Sequence, residues 1–367
     1  MKLLLALTLL TTTALAQEPA QDQASSLTVR SNLVLVPTLV KTKAGALVYT
    51  LKTTDFLITD DGVPQKLHLE EDTGGEPLAL VVVVETGGDG VRHLDDYVNL
   101  GPTLDAVVGN VDHKVAVVSF DSEPDIVQPF TANLDKATKA LAKLEPGDEH
   151  AAILDALDYA VNLLRKQPTT YRRAILLLSE TLDHGSHVTL NDALRAIGDT
   201  NTAIYAIGFN STKAETAKEA SKLGANMLPP LDPGPVKGCF SRDPNADPAT
   251  LPSRAEQNYD CIAELLPPLR LARMAMLLAV NNLKRNVPES VAHITGGEYF
   301  KFKDTKTLER DLLTISNHVP NRYILSFHPP TPHPGFHANE VKLNNYTNLT
   351  VEARNGYWID DETASKP

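Results

Sequence analysis

The stretch Leu78–Gly90, LALVVVVETGGDG, decides the fold. Val81–Val84 extend the apolar run begun by Leu78, Ala79 and Leu80. A continuous apolar run of this length, with no polar alternation, is a strand buried on both faces, as in a parallel sheet covered by helices. It ends on an acid, Glu85, and the turn Thr86-Gly87-Gly88-Asp89. A buried strand that ends this way presents polar groups at the carboxyl edge of its sheet, where α/β folds place their sites.

The flanking sequence repeats the pattern. KVAVVSF (114–120), RAILLLS (173–179) and TAIYAIGF (202–209) are further buried strands. Between them lie helical patterns over 94–111, 133–144, 150–166 and 190–200, with apolar residues three and four apart, as in Ile153, Leu157, Val161 and Leu164. Strands alternating with helices predict an α/β, Rossmann-like, mostly parallel six-stranded sheet with helices on both faces, spanning 76–320. EPDIVQPF (123–130) adds an edge strand, GGEYFKF (296–302) another, and Asp304 caps a helix over 304–319.

Outside this core the rhythm is antiparallel. Residues 28–75 read as a β-rich module, with Pro37 marking an edge or bulge and Asp60-Asp61-Gly62 a hairpin turn. RYILSFHP, NEVKLNN and LTVEARNGYW, within 321–358, supply three more strands. Neither segment can bury a face alone, so the two are expected to form a small antiparallel β-sandwich. The histidines of SFHPPTPHPGFHANE (326–340) are read as lying in a Pro-rich surface loop.

The chain opens MKLLLALTLLTTTALAQ, with one basic residue, an apolar run and Ala14-Leu15-Ala16 before Gln17, the pattern of a secretory signal peptide over 1–16. A disordered lead (17–27) and tail (359–367) are expected. No other segment is long and apolar enough to span a bilayer. Residues 228–261 read as a Pro-rich insertion. It holds both cysteines, Cys239 and Cys261, which pair in an oxidising compartment or remain two free thiols. Met274 and Met276, just beyond, read as core fillers. A net charge of −12 argues against nucleic acid, since phosphate binding needs clustered Lys and Arg.

The strand order and the Glu85 tip resemble a von Willebrand factor type A domain. NLVLVPTLVKTKAGALVYTLKTTDFLITDDGVPQKL, VAHITGGEYFKF, NRYILSFHP and LTVEARNGYW together resemble a secreted group, the VWFA-related acidobacterial proteins. The resemblance implies a metal-ion-dependent adhesion site: an Asp-x-Ser-x-Ser motif, a Thr and a later Asp holding Mg²⁺. Those positions fall here on Glu85, Gly87, Asp89, Ala151 and Glu180. Two hydroxyls are lost and both family carboxylates are one methylene longer, which Mg²⁺ geometry tolerates poorly. The site is therefore expected to be degenerate, with no cofactor. The alternative is a remodelled site for Mg²⁺, Ca²⁺, Zn²⁺ or Mn²⁺ drawing on His150, Asp183, His184 and His187, beside Asp148 and Glu149.

No catalytic residues are assigned. There is no GxSxG elbow, and GGDG lacks the lysine of a phosphate loop. Ser179, Asp183 and His184 do not have the spacing of a recognisable triad. Asn210, Asn345 and Asn348 open Asn-x-Ser/Thr sequons, which are common by chance. The function implied is extracytoplasmic protein recognition, adhesion or scaffolding with a protein partner. The alternatives are a metal-dependent hydrolase built on the same acids and histidines, and a structural envelope component.

Overall fold

The computed structural model describes residues 33–70, 75–98, 100–210, 286–330 and 335–359. The leader, the insertion with Cys239 and Cys261, and the segment holding Met274 and Met276 lie outside them.

Six strands form the central sheet: β5 (Leu78–Glu85), β6 (His113–Phe120), β7 (Pro124–Thr131), β8 (Arg172–Glu180), β9 (Ala203–Phe209) and β10 (Tyr299–Lys301), in the order β10-β9-β8-β5-β6-β7. All neighbours are parallel except β7, an antiparallel edge strand. Every residue of β5 is buried. Its side chains alternate between two cores. Ala79, Val81 and Val83 meet α4 (Ile153–Arg165), α5 (Leu190–Asp199) and α6 (Val287–Thr295). Leu80, Val82 and Val84 meet α1 (Leu94–Tyr97), α2 (Gly101–Val108), α3 (Leu134–Leu141) and α7 (Thr305–His318). Each fully buried Val or Leu adds about 1.5–3 kcal/mol, so this strand anchors both layers. The 94–111 pattern forms two helices rather than one, because Pro102 lacks an N–H and opens α2 at its first turn. Asp304 caps α7, its carboxylate accepting from Thr307 N at 2.7 Å.

Two four-stranded sheets make up the remainder. One runs β13 (Leu349–Ala353), β1 (Val34–Thr42), β11 (Tyr323–Phe327), β4 (Leu67–Glu70). The other runs β14 (Gly356–Ile359), β12 (Gly335–Leu343), β2 (Phe56–Asp60), β3 (Val63–Pro64). Strands from both ends of the chain interleave in each sheet, and Val36, Phe56, Ile58, Leu325, Phe327 and Tyr357 share a core between them. The β2–β3 turn has positive φ at both central residues, Asp61 (49°) and Gly62 (80°), as a type I′ hairpin requires.

Three readings need correction. Pro37 sits within an interior strand, not an edge; its register partner is Ile324 of β11, and the ladder to β13 starts one residue later at Thr38, so its missing N–H breaks no bond there. LTVEARNGYW is two strands in different sheets, turning at Arg354-Asn355, and its last strand includes Ile359, which the sequence reading left in the tail. His337 lies in β12 and is 1% exposed, not on a surface loop.

Buried charges tie the sandwich to the central unit. Arg354 is buried and donates to Asn201 Oδ1 at 2.7 Å and Gly356 O at 2.8 Å, joining the β13–β14 corner to the α5–β9 turn. Burial pulls its guanidinium down to about 10. Glu298 accepts from His318 Nδ1 at 2.7 Å and pairs with Lys41 Nζ of β1 at 3.2 Å and Arg322 Nη2 at 3.4 Å. Burial alone would raise the Glu298 carboxyl, but the His318 hydrogen bond and the Arg322, His318 and Lys41 charges outweigh it and hold the group at about 2. A carboxyl lowered by folding stabilises the native state above its ordinary value of 4.5, and that stabilisation is lost as pH falls toward about 2. Glu298→Gln is therefore expected to cost about 3 kcal/mol at neutral pH and to flatten the loss of stability on acidification. Urea melts across a pH series check this; a variant with the parent's stability and acid limb contradicts it.

Candidate functional site

The site follows from the strand order. The chain leaves β5 for β6 on one side and later returns to β8 on the other, so a crevice opens at the carboxyl ends of β5 and β8. Glu85 ends β5 and Glu180 ends β8, and both are fully buried. The Glu85 carboxylate accepts two backbone N–H groups, Oε2 from Glu180 at 2.7 Å and Oε1 from Gly90 at 3.1 Å. Burial, with the nearby Glu180 and Asp89 charges, pushes its carboxyl up to about 9 against those two donors, so Glu85 is neutral at physiological pH. Glu180 Oε1 lies 3.1 Å from His184 Nε2. His184 is fixed from behind: its backbone and that of Ala151 exchange hydrogen bonds at 3.0 and 3.1 Å, and its Nδ1 accepts from Ala151 N at 3.0 Å.

The remaining positions are equally committed. A Cβ on Gly87 would stand 2.2 Å from His150 O and 2.9 Å from Asp148 O, so the 148–150 backbone occupies the place of any side chain there. Asp89 Oδ1 pairs with Arg92 at 3.0 Å. Asp183 turns to the start of α4, accepting from Leu154 N at 3.1 Å and from Ser186 Oγ at 2.6 Å. His187 is 85% exposed at its side chain and engages Asp155, 3.1 Å away. His150 faces Asp148 at 3.3 Å on the surface. Glu149 is exposed beside them. Ser179 donates to Glu180 O at 3.0 Å, so it offers no nucleophile to His184.

The structure thus gathers Glu85, Glu180 and His184, with Asp89 near enough for its charge to act on Glu85, and sends Asp183 and His187 to the α4 end. The donor set does not fit a hard six-coordinate cation: Glu85 is neutral with both oxygens taken, Gly87 and Ala151 give no side-chain oxygen and their carbonyls accept from Gly90 N and His184 N, and Glu180 is met by imidazole. Sequence reasoning passed over Asp121, which directly follows β6. Its Oδ2 accepts from Asp148 N at 3.1 Å and its carbonyl from Ala152 N at 2.9 Å, holding the 147–152 loop over the tip. An acid one residue past a buried strand, in SFD, was the available signal.

Residues 101–182, from α2 to just past β8, match the family model of the von Willebrand factor type A domain, and the six-stranded sheet with helices on both faces is that domain's fold. The chain is also similar to the crystal structure of the conserved hypothetical protein BatB from Bacteroides thetaiotaomicron, at 14% identity over 65% of this chain and 99% of that one, TM-score 0.35. An aerotolerance-related membrane protein from Bacteroides fragilis is similar at 15% identity over 65% and 98%, TM-score 0.37. The SpRpn10 VWA domain is similar at 15% identity over 38% and 78%, TM-score 0.30. No function passes from these likenesses to this chain. No curated protein matches it.

Restoring one lost hydroxyl should not rebuild an adhesion site. Gly87→Ser is expected to destabilise by about 1–3 kcal/mol, because its Cβ overlaps His150 O, and to leave the melting temperature insensitive to millimolar Mg²⁺. Calorimetry with and without Mg²⁺ checks both; a saturable Mg²⁺-dependent rise would contradict the second.

Proposed function

We propose that this chain is an extracytoplasmic recognition or scaffolding protein of the VWFA-related acidobacterial group, which binds a protein partner through the top of its type A domain without a cation. The type A fold supports a protein-interaction role. The Met1–Ala16 leader supports export, and among the described residues no helix is long and apolar enough to cross a membrane. The observation that carries the reading is the closed tip: Glu85 accepts from Glu180 N and Gly90 N, and Glu180 Oε1 lies 3.1 Å from His184 Nε2, leaving the loop above them as the contact surface.

That loop is acidic. Glu145, Asp148 and Glu149 are exposed, His150 beside them, with Glu123 on the neighbouring turn. A partner presenting Lys or Arg at its contact patch is the complement, and such rim charges govern association rate and salt dependence.

Pull-down from a native envelope fraction tests it. A defined partner is expected to be retained in the presence of EDTA and weakened by added salt, and Asp148→Lys with Glu149→Lys is expected to lose it while the fold persists by circular dichroism. Release by EDTA, or undiminished capture by the charge-reversed double variant, would overturn the reading.

A further inference from the structure

The interior of the β-sandwich contains a cluster that recognition through the type A tip does not use. Asp60 at the end of β2, Asp61 in the hairpin turn and His337 on β12 are all buried. Each offers one ligand atom, and these atoms lie within 4.8 Å of one another. His337 Nδ1 stands 2.9 Å from Asp61 Oδ2 and 3.4 Å from Asp60 Oδ1. Two donors about 2.0–2.1 Å from a tetrahedral ion stand roughly 3.3 Å apart, so these separations already approximate two edges of such a site.

The surroundings are those of oriented ligands. The Tyr357 hydroxyl donates to Asp60 Oδ2 at 2.9 Å, and the Tyr357 ring stacks on His337 with centroids 4.7 Å apart. Ala338 N donates to Asp61 Oδ1 at 2.9 Å. Each carboxylate therefore has one oxygen fixed by a neighbour and the other turned to the imidazole, as ligating carboxylates are held in metal sites. A second observation points to a missing ligand. Asn339 pairs directly with Asp60 across the β2–β12 ladder and, two residues from His337, shares its face of the strand. It is 5% exposed, and its side-chain oxygen and nitrogen both lack a hydrogen-bond partner among the described residues. An uncommitted buried amide costs about 1–3 kcal/mol unless something engages it.

We propose that Asp60, Asp61 and His337 bind one Zn²⁺-class divalent ion within the sandwich, with Asn339 Oδ1 as the fourth donor. Imidazole with carboxylates favours a first-row transition ion over Ca²⁺, whose ligands stand 2.3–2.6 Å away, and over Mg²⁺, which keeps several waters that this interior excludes. On binding, the Nδ1 proton that His337 shares with Asp61 leaves to solvent and the ring nitrogen's lone pair goes to the metal. The ion would pin β2, from the front of the chain, to β12, from its end, and so lock the sandwich closed.

The full processed chain, stripped with chelator and dialysed, is titrated with ZnCl₂ alone, following bound metal by elemental analysis and melting temperature by calorimetry. One Zn²⁺ per chain and a saturable rise in melting temperature are expected. Co²⁺ in its place should give the visible absorption of a tetrahedral nitrogen–oxygen site. Asp60→Asn, which keeps the size of the side chain, should abolish stoichiometric binding. Tyr357→Phe should still fold and weaken affinity 10–100-fold. His184→Ala, at the type A tip, should leave the stoichiometry unchanged. If the stripped chain takes up no Zn²⁺ on addition or on refolding in its presence, the proposal falls. It falls equally if His184→Ala removes the ion while Asp60→Asn keeps it.

Discussion

The two hydrogen bonds that Glu85 accepts, from Glu180 N and Gly90 N, govern the top of the molecule. They join the tips of the two central strands to the turn that leaves the first of them. A shorter acid at this position would project less far from β5. The extra methylene lets the carboxyl reach across to the end of β8, and once there it is buried and neutral. Burial first, and the nearby Glu180 and Asp89 charges with it, keep that carboxyl neutral, since two adjacent carboxylates do not both ionise away from water. His184 then closes the arrangement from the rim. The Glu85 oxygens at the crevice are thereby both engaged from within the fold.

That closure depends on glycine in one specific way. Gly87 lets the 148–150 backbone descend onto the turn, and Asp121 secures the loop by accepting from Asp148 N. Ala151 adds to the closure through the short bridge it makes with His184. At Gly87 the space a side chain would use is thus taken by main chain, which a single substitution does not move.

The central unit was legible in sequence because its signal is local. Seven apolar residues before Glu85 can be a strand of only one kind, and the alternation of such runs with helical periodicity leaves few topologies. The sandwich was legible as an expectation from pattern and from the need of each half for a partner, but its details were not. LTVEARNGYW reads as one strand because both halves have strand composition; the switch of sheets at Arg354 is set by what Arg354 meets on the α5–β9 turn, a contact 153 residues away in the chain. Pro37 reads as an edge for the same reason, since which ladders border it depends on strands from the far end. At the tip, the resemblance pointed to Glu85 and Glu180 and the loops beside them to His184, Asp183 and His187; which of these come together was not legible, because Asp183 accepts from Leu154 N at the start of α4 and the His187 N–H donates to Asp155 of that helix.

His337 shows where the histidine-rich segment misled. Proline and glycine around it are loop signals, and they do describe the approach to the strand. Yet from Phe336 onward the alternation His337, Asn339, Val341, Leu343 is one face of β12, and that face turns inward. Its first two members are polar, opposite Tyr357 and Asp60 in their ladders, so the polar end of one strand meets the polar ends of its neighbours. The sandwich core is thereby divided: aliphatic and aromatic around Val36, Ile58 and Phe327, ionic at the hairpin end. Removing three ionisable groups from water is a burden that a purely apolar interior would avoid, and partners only partly offset it. The positive φ of Asp61 sharpens the point, because it sets the carboxylate beneath the turn when an asparagine or glycine would serve the bend equally well. Turn chemistry alone therefore does not account for that acid; the imidazole it faces does.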